Sequence, residues 1–149
     1  GENEDRVKAY KNITLIRYAD ILLMRAEALI ESGGDLQEAT DLINLVRSRA
    51  GMPLIDISGG QSGMREKLRH ERRIELAFEG LRYYDIIRWR IGDKVRNGNQ
   101  YGAALMNKET GKHENIFMEK RVWDDHMYLW PVPQDARDLN PSLDQNQGW

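Results

Sequence analysis

Glu71 and Glu75 stand one helical turn apart in the stretch ERRIELAFEGLRYYDIIRW, residues 71–89, where four acidic and four basic side chains lie among aromatics and aliphatics. Two carboxylates at that spacing suit general acid/base chemistry. His70-Glu71 also opens like the zinc motif HExxH, but position 74 is Ile where the second histidine belongs. His70, His113 and His126 are the only histidines, and no two have ligand spacing, so no metal is expected. The competing reading is architectural. A carboxylate in apolar surroundings persists when it is paired and hydrogen-bonded, and the planar fork of arginine meets that need. Arg17, Arg25, Arg47, Arg49, Arg69, Arg72, Arg73, Arg82 and Arg88 offer such partners. Architecture is therefore favoured for Glu71 and Glu75.

The remaining candidates are weaker. Ser48, Ser58, Ser62 and Ser142 lack a GxSxG setting and form no legible Ser/His/Asp arrangement. Gly59-Gly60-Gln-Ser-Gly63 precedes a helix and could cradle a phosphate, but without a P-loop lysine it reads better as a flexible turn. Trp123, Tyr128, Trp130 and Trp149 cluster near the end of the chain. Exposed rings there could stack on sugar faces, although clamping a tail onto helices is the preferred reading. No catalytic residue and no cofactor is assigned.

These side chains need elements to hold them. In residues 13–32, Leu15, Tyr18, Leu22, Ala26 and Leu29 recur at helical spacing, with Ala19, Leu23 and Ile30 widening the stripe. Gly33-Gly34 ends that helix, and Asp35 with Glu38 reads as a capping box for a second helix over 36–49 that buries Leu36, Ala39, Leu42, Ile43 and Val46. So short a turn implies a helical hairpin of tetratricopeptide size. A third helix is expected over 63–79 and a fourth over 81–90. On the third, with Leu68 taken as zero, Met64, Ile74, Ala77, Phe78 and Leu81 share one half of the wheel, and Glu71 near about 300° and Glu75 near about 340° lie in or at the edge of that arc. Residues 92–114 read as loop with a short helical turn. A β-hairpin is expected over 115–131 about Asp124-Asp125, and an aperiodic tail over 132–149. The fold class is thus mainly α, in one domain.

Composition excludes some functions. Apolar residues at 40%, charged residues at 31% and a net charge of -2 describe a globular protein, and the two signs are interspersed, so nucleic acid is not an expected partner. Cysteine is absent, which removes disulfides and thiolate metal sites. No run of 18 apolar residues occurs, and the polar start GENEDRVKAYKN is no signal peptide. Gly1 in place of Met suggests a processed product or a piece of something longer.

Five stretches, in order, are IRYADILLMRAEALIESGG, INLVRSRAGMP, REKLRHERRIELAFEGLRYYDIIRW, YLWPVP and LNPSLDQNQGW. Together they resemble the C-terminal region of the SusD/RagB family of outer-membrane nutrient-binding lipoproteins. The resemblance implies an α-helical fold of tetratricopeptide-like hairpins. It also implies a surface lipoprotein that captures glycans or other nutrients and hands them to a SusC-like, TonB-dependent transporter. Family members are several times longer and carry a lipid anchor that is absent here, so membrane attachment is implied only through that anchor. Their ligand-contacting aromatics lie largely upstream, so no binding residue is carried over. What matches is framework: Arg17, Tyr18, Glu27, Arg47, Glu71, Arg72, Arg73, Glu75, Gly80, Asp85 and Trp89. The second reading is a helical-repeat module for protein partners without a ligand of its own; a glycoside hydrolase ranks third.

Overall fold

A computed structural model describes residues 15–149. They form two compact units, one ending at Leu81 and the other running from Arg82 to Trp149.

The first unit is helical. Helix α1 spans Tyr18–Ser32 and α2 spans Leu36–Arg49, joined at Gly33 and Gly34. Gly33 takes φ 71°, and the amides of Gly33 and Gly34 donate to the carbonyls of Ile30 and Leu29 at 3.3 and 2.8 Å, which closes α1 as a left-handed glycine cap does. Asp35 caps α2 by accepting from the amides of Gln37 and Glu38. The capping box is half made, because the Glu38 carboxylate goes to Arg25 instead. The helix expected from residue 13 begins at Tyr18; Ile13 and Thr14 lie outside the described residues. Arg17 precedes α1 in extended conformation, its guanidinium engaged elsewhere in the unit.

Helix α3 covers Gly60–Glu75, three residues earlier at its start than expected and four earlier at its end. The glycine-rich stretch is no free turn: Gly60 to Gly63 form the first turn of the helix, and a Cβ on Gly63 would stand 2.6 Å from the Ser58 carbonyl. The helix stops because Leu76 to Gly80 turn away, with Phe78 at φ 65° and Gly80 at φ 79°. Consequently Ile74, Ala77 and Phe78 are exposed, contrary to the expected wheel. The buried stripe is Met64, Leu68, Glu71 and Arg72, centred on Leu68. Helix α1 buries Ala19, Leu23, Ala26 and Ile30 as expected, with Glu27 added, while Leu22 and Leu29 are half-buried and Leu15 and Tyr18 are exposed. Helix α2 buries the residues expected of it, with Leu36 half-buried and Thr40 added. Leu23, Ile30, Ile43, Val46, Met64 and Leu68 are the fully buried centre of this three-helix core, each contributing about 1.5–3 kcal/mol by burial.

The second unit holds most of α4 (Leu81–Arg88), then α5 (Gly92–Arg96), strands β1 (Gly98–Met106) and β2 (His113–Arg121), a 3-10 turn (Asp125–Tyr128) and α6 (Gln134–Leu139). The hairpin thus lies upstream of its expected place. β1 and β2 pair antiparallel, Gly98 with Arg121 and Met106 with His113, with irregularities around Tyr101. Its turn is built by Asn107, whose side chain accepts from the amides of Glu109 and Thr110, and by Gly111 at φ 66°. β1 contains no β-branched residue, which is why GNQYGAALM reads as loop. Asp124 stands at the head of the 3-10 turn, its carbonyl accepting from the Met127 amide at 2.9 Å, rather than turning a hairpin.

Candidate functional site

The charged stripe of α3 is wholly engaged by arginines. Glu71, 5% exposed, accepts from Arg47 Nη1 at 2.5 Å, and Arg47 Nε also donates to the Pro53 carbonyl at 2.7 Å. Glu75 accepts from Arg17 at 2.8 Å and, through both oxygens, from Arg49 at 2.8 Å. Arg17 extends further, donating to both Glu79 oxygens at 3.0 Å through Nε and to the Glu75 carbonyl at 2.8 Å through Nη2. Hydrogen bonds from Arg17 to Glu79 first, then to Glu75, raise its pKa above an already high ordinary value. Arg72, 4% exposed, donates to Asp20 at 2.9 Å, with Glu27 at 4.0 Å from its Nε. Through Arg47–Glu71 the lattice ties α2 to α3, and through Arg72–Asp20 it ties α3 to α1.

A smaller constellation lies beside α3. Lys67 Nζ donates to the Asp56 carboxylate at 2.5 Å and to Ser58 Oγ at 2.8 Å. The Lys67 hydrogen bond, followed by those of Ser58, holds the Asp56 carboxyl well below the usual carboxylate range. Ser58 Oγ donates to the same Asp56 carboxylate at 2.6 Å, so the cluster ties the loop before α3 to the helix.

Of the residues expected as framework, Asp85 pairs with Arg88 at 2.8 Å and Arg88 stacks on Trp89 at 4.7 Å. Gly80 supplies a left-handed turn. Tyr18 and Arg73 are exposed and stand outside these pairs, because position 73 faces away from the Leu68-centred stripe and Tyr18 opens its helix.

The four aromatic candidates are brought together in the second unit, in different roles. Trp123 packs edge-on to Tyr128 at 5.2 Å and lies against Gly92, where a Cβ would stand 2.1 Å from the indole. The buried Tyr128 hydroxyl accepts from the Gly92 amide at 2.8 Å. Trp149 donates from Nε1 to the carbonyls of Leu129 and His126 at 3.0 and 3.2 Å. These three clamp the tail. Trp130, 73% exposed, meets Tyr83 edge-on at 6.3 Å. Tyr83, Trp123, Trp130 and Trp149 line an apolar cleft of about 180 Å³.

Sequence reasoning missed three amides. Gln145 accepts from the Val132 amide at 2.8 Å and donates to the Val132 carbonyl at 3.1 Å, while Asn146 donates to the Trp130 carbonyl at 2.6 Å. They make YLWPVP behave like a strand with side chains as its neighbour. Asn44 does the same for Ile55 in the first unit, at 2.9 and 3.0 Å. Their signal was the Gln-Asn of LNPSLDQNQGW and the Asn of INLVRSRAGMP. Among the described residues no group of three His, Asp or Glu side chains could hold a metal ion, and no helix is long and apolar enough to cross a membrane.

Comparison with known proteins gives this architecture its place. The chain is 40% identical over 145 residues to a SusD-like protein of Formosa agariphila, covering 95% of this chain and 25% of the relative. It is 41% identical over 95 residues to a second SusD-like protein of that organism, covering 59% of this chain and 19% of the relative. A solved SusD-like protein from Bacteroides fragilis superposes with a TM-score of 0.79 at 36% identity, over 91% of this chain and 25% of that one. A solved SusD-like carbohydrate binding protein from the same species does so with a TM-score of 0.73 at 35% identity, over 87% of this chain and 28% of that one. The chain therefore spans from just under a fifth to a little over a quarter of the length of these relatives. The model of the SusD family matches residues 1–149, every stretch that builds the arginine lattice and the amide-laced tail included, and the chain belongs to that family.

Proposed function

We propose that this chain is a scaffold segment of an outward-facing, lipid-anchored glycan-binding protein that delivers its ligand to a SusC-like, TonB-dependent outer-membrane transporter. One observation carries the reading: likeness to a solved SusD-like carbohydrate binding protein over 87% of the chain. The geometry is consistent with capture rather than catalysis, since Glu71, Glu75 and Glu79 are all engaged by arginine. An antibody to this chain, applied to the source cells, should find a membrane-retained species that protease shaves from intact cells and that co-purifies with a β-barrel transporter. A soluble species protected from protease would overturn the proposal.

The alternative is a helical-repeat module for a protein partner. Leu15, Ile16 and Phe78, all exposed around a cleft of about 310 Å³ in the first unit, favour it. That module would leave the protein inside the protease-resistant fraction.

A further inference from the structure

The second unit carries another cleft, polar and larger, of about 520 Å³, with Arg90, Asp125, His126, Tyr128 and Gln147 in its walls. Three separate stretches build it. Arg90 follows α4 at φ 47°, a conformation that L-residues rarely adopt. Its guanidinium carbon then lies 4.3 Å from the centre of the Tyr128 ring, a platform fixed by burial and by the hydroxyl's bond to Gly92. Asp125 and His126 come from the 3-10 turn. Gly148, at φ 93°, passes so close that a Cβ would stand 2.6 Å from the His126 Cβ. That approach lets Trp149 meet the imidazole edge-on at 4.6 Å.

Apart from the Tyr128 hydroxyl, the polar side chains of this cleft are uncommitted. Among the described residues, the side chains of Arg90, Asp125, His126 and Gln147 make no hydrogen bond or ion pair with the rest of the chain, Arg90 being held only by the Tyr128 ring. Immediately before them in the tail, Gln145 and Asn146 are both engaged with backbone. Arg90 offers donors only, Asp125 acceptors only, and Gln147 both. The formal charges of Arg90 and Asp125 cancel, so an anion drawn to the first meets the second, and a cation the reverse. Neighbouring hydroxyls, each a donor and an acceptor, satisfy such a set without bringing net charge. Leu129 lines both this cleft and the apolar one that holds Trp130 and Trp149, so polar and aromatic surfaces adjoin.

We infer that the Arg90–Asp125–Gln147 cleft is a saccharide subsite selective for neutral sugar rings, whose vicinal hydroxyls bridge the guanidinium, carboxylate and amide. The inference rests on the glycan-binding reading above and gives it a place and a ligand class.

The test titrates the chain by calorimetry with neutral hexasaccharides of glucose, xylose or mannose and with hexagalacturonate, alongside Asp125→Asn, Gln147→Ala and Trp130→Ala. At least one neutral hexasaccharide should bind, hexagalacturonate about tenfold more weakly. Asp125→Asn and Gln147→Ala should each weaken binding about tenfold, the scale of a lost hydrogen bond to a charged or buried group. Both residues are exposed, so an unchanged thermal midpoint separates lost binding from lost fold. Neutral binding that ignores both substitutions, or falls only with Trp130→Ala, overturns the cleft and leaves glycan capture standing. Preference for hexagalacturonate overturns the neutral selectivity. Binding of no saccharide also overturns the cleft, while the cell-surface location of the parent protein decides glycan capture independently.

Discussion

In the first unit, Glu71, Glu75 and Asp20 are held by arginines from other elements across desolvated helix faces. In the second, the joints that hold the tail are neutral: Gln145 and Asn146 on the backbone of residues 130–132, the Tyr128 hydroxyl on Gly92, and indoles meeting rings by their edges. The difference follows from what is joined. Helices present no free backbone donors along their flanks, so long charged side chains must bridge them. Extended segments expose amides and carbonyls that a short side-chain amide satisfies directly. Charge density along a sequence can therefore mark helix–helix joints rather than chemistry.

This contrast is open to attack in order of effect. Glu71→Ala leaves Arg47 without its buried partner and should cost about 3–5 kcal/mol in urea unfolding; a loss below about 0.5 kcal/mol, as for surface changes, would erase the ionic half of the comparison. Gln145→Ala removes two neutral bonds to Val132 and should cost about 1–2 kcal/mol, read from unfolding followed by tryptophan fluorescence. Were it to match Glu71→Ala, the two kinds of joint would be equivalent. Phe78→Gly should be neutral or stabilising by up to about 1 kcal/mol, because a fully exposed ring is exchanged for relief of a left-handed residue. Clear destabilisation in a melting experiment would mean that the Phe78 ring is covered.

The helical hairpin of α1 and α2 was legible because Gly33-Gly34 and Asp35 punctuate it and α2 keeps strict periodicity. The arginine pairing of Glu71 and Glu75 was legible in kind, since carboxylates near an apolar arc demand cations. The register of α3 was not, because its buried stripe contains Glu71 and Arg72 while Ile74 and Phe78 face solvent; hydrophobicity points the wrong way there. The β-hairpin was misplaced because β1 lacks β-branched residues and carries two glycines, while VWDDHMYLW is rich in aromatic and aliphatic residues. Neither the Gln145–Val132 bonds nor the polar cleft leaves any periodic trace, because both depend on segments distant in sequence.

Arg17 reaches Glu79, 62 residues further along the chain. Such a clasp closes only after the intervening helices have found one another, since loop-closure entropy opposes it until then. A contact that forms this late acts on the lifetime of the folded unit rather than on the speed of its formation, so breaking it is expected to let the helices part sooner without delaying their meeting.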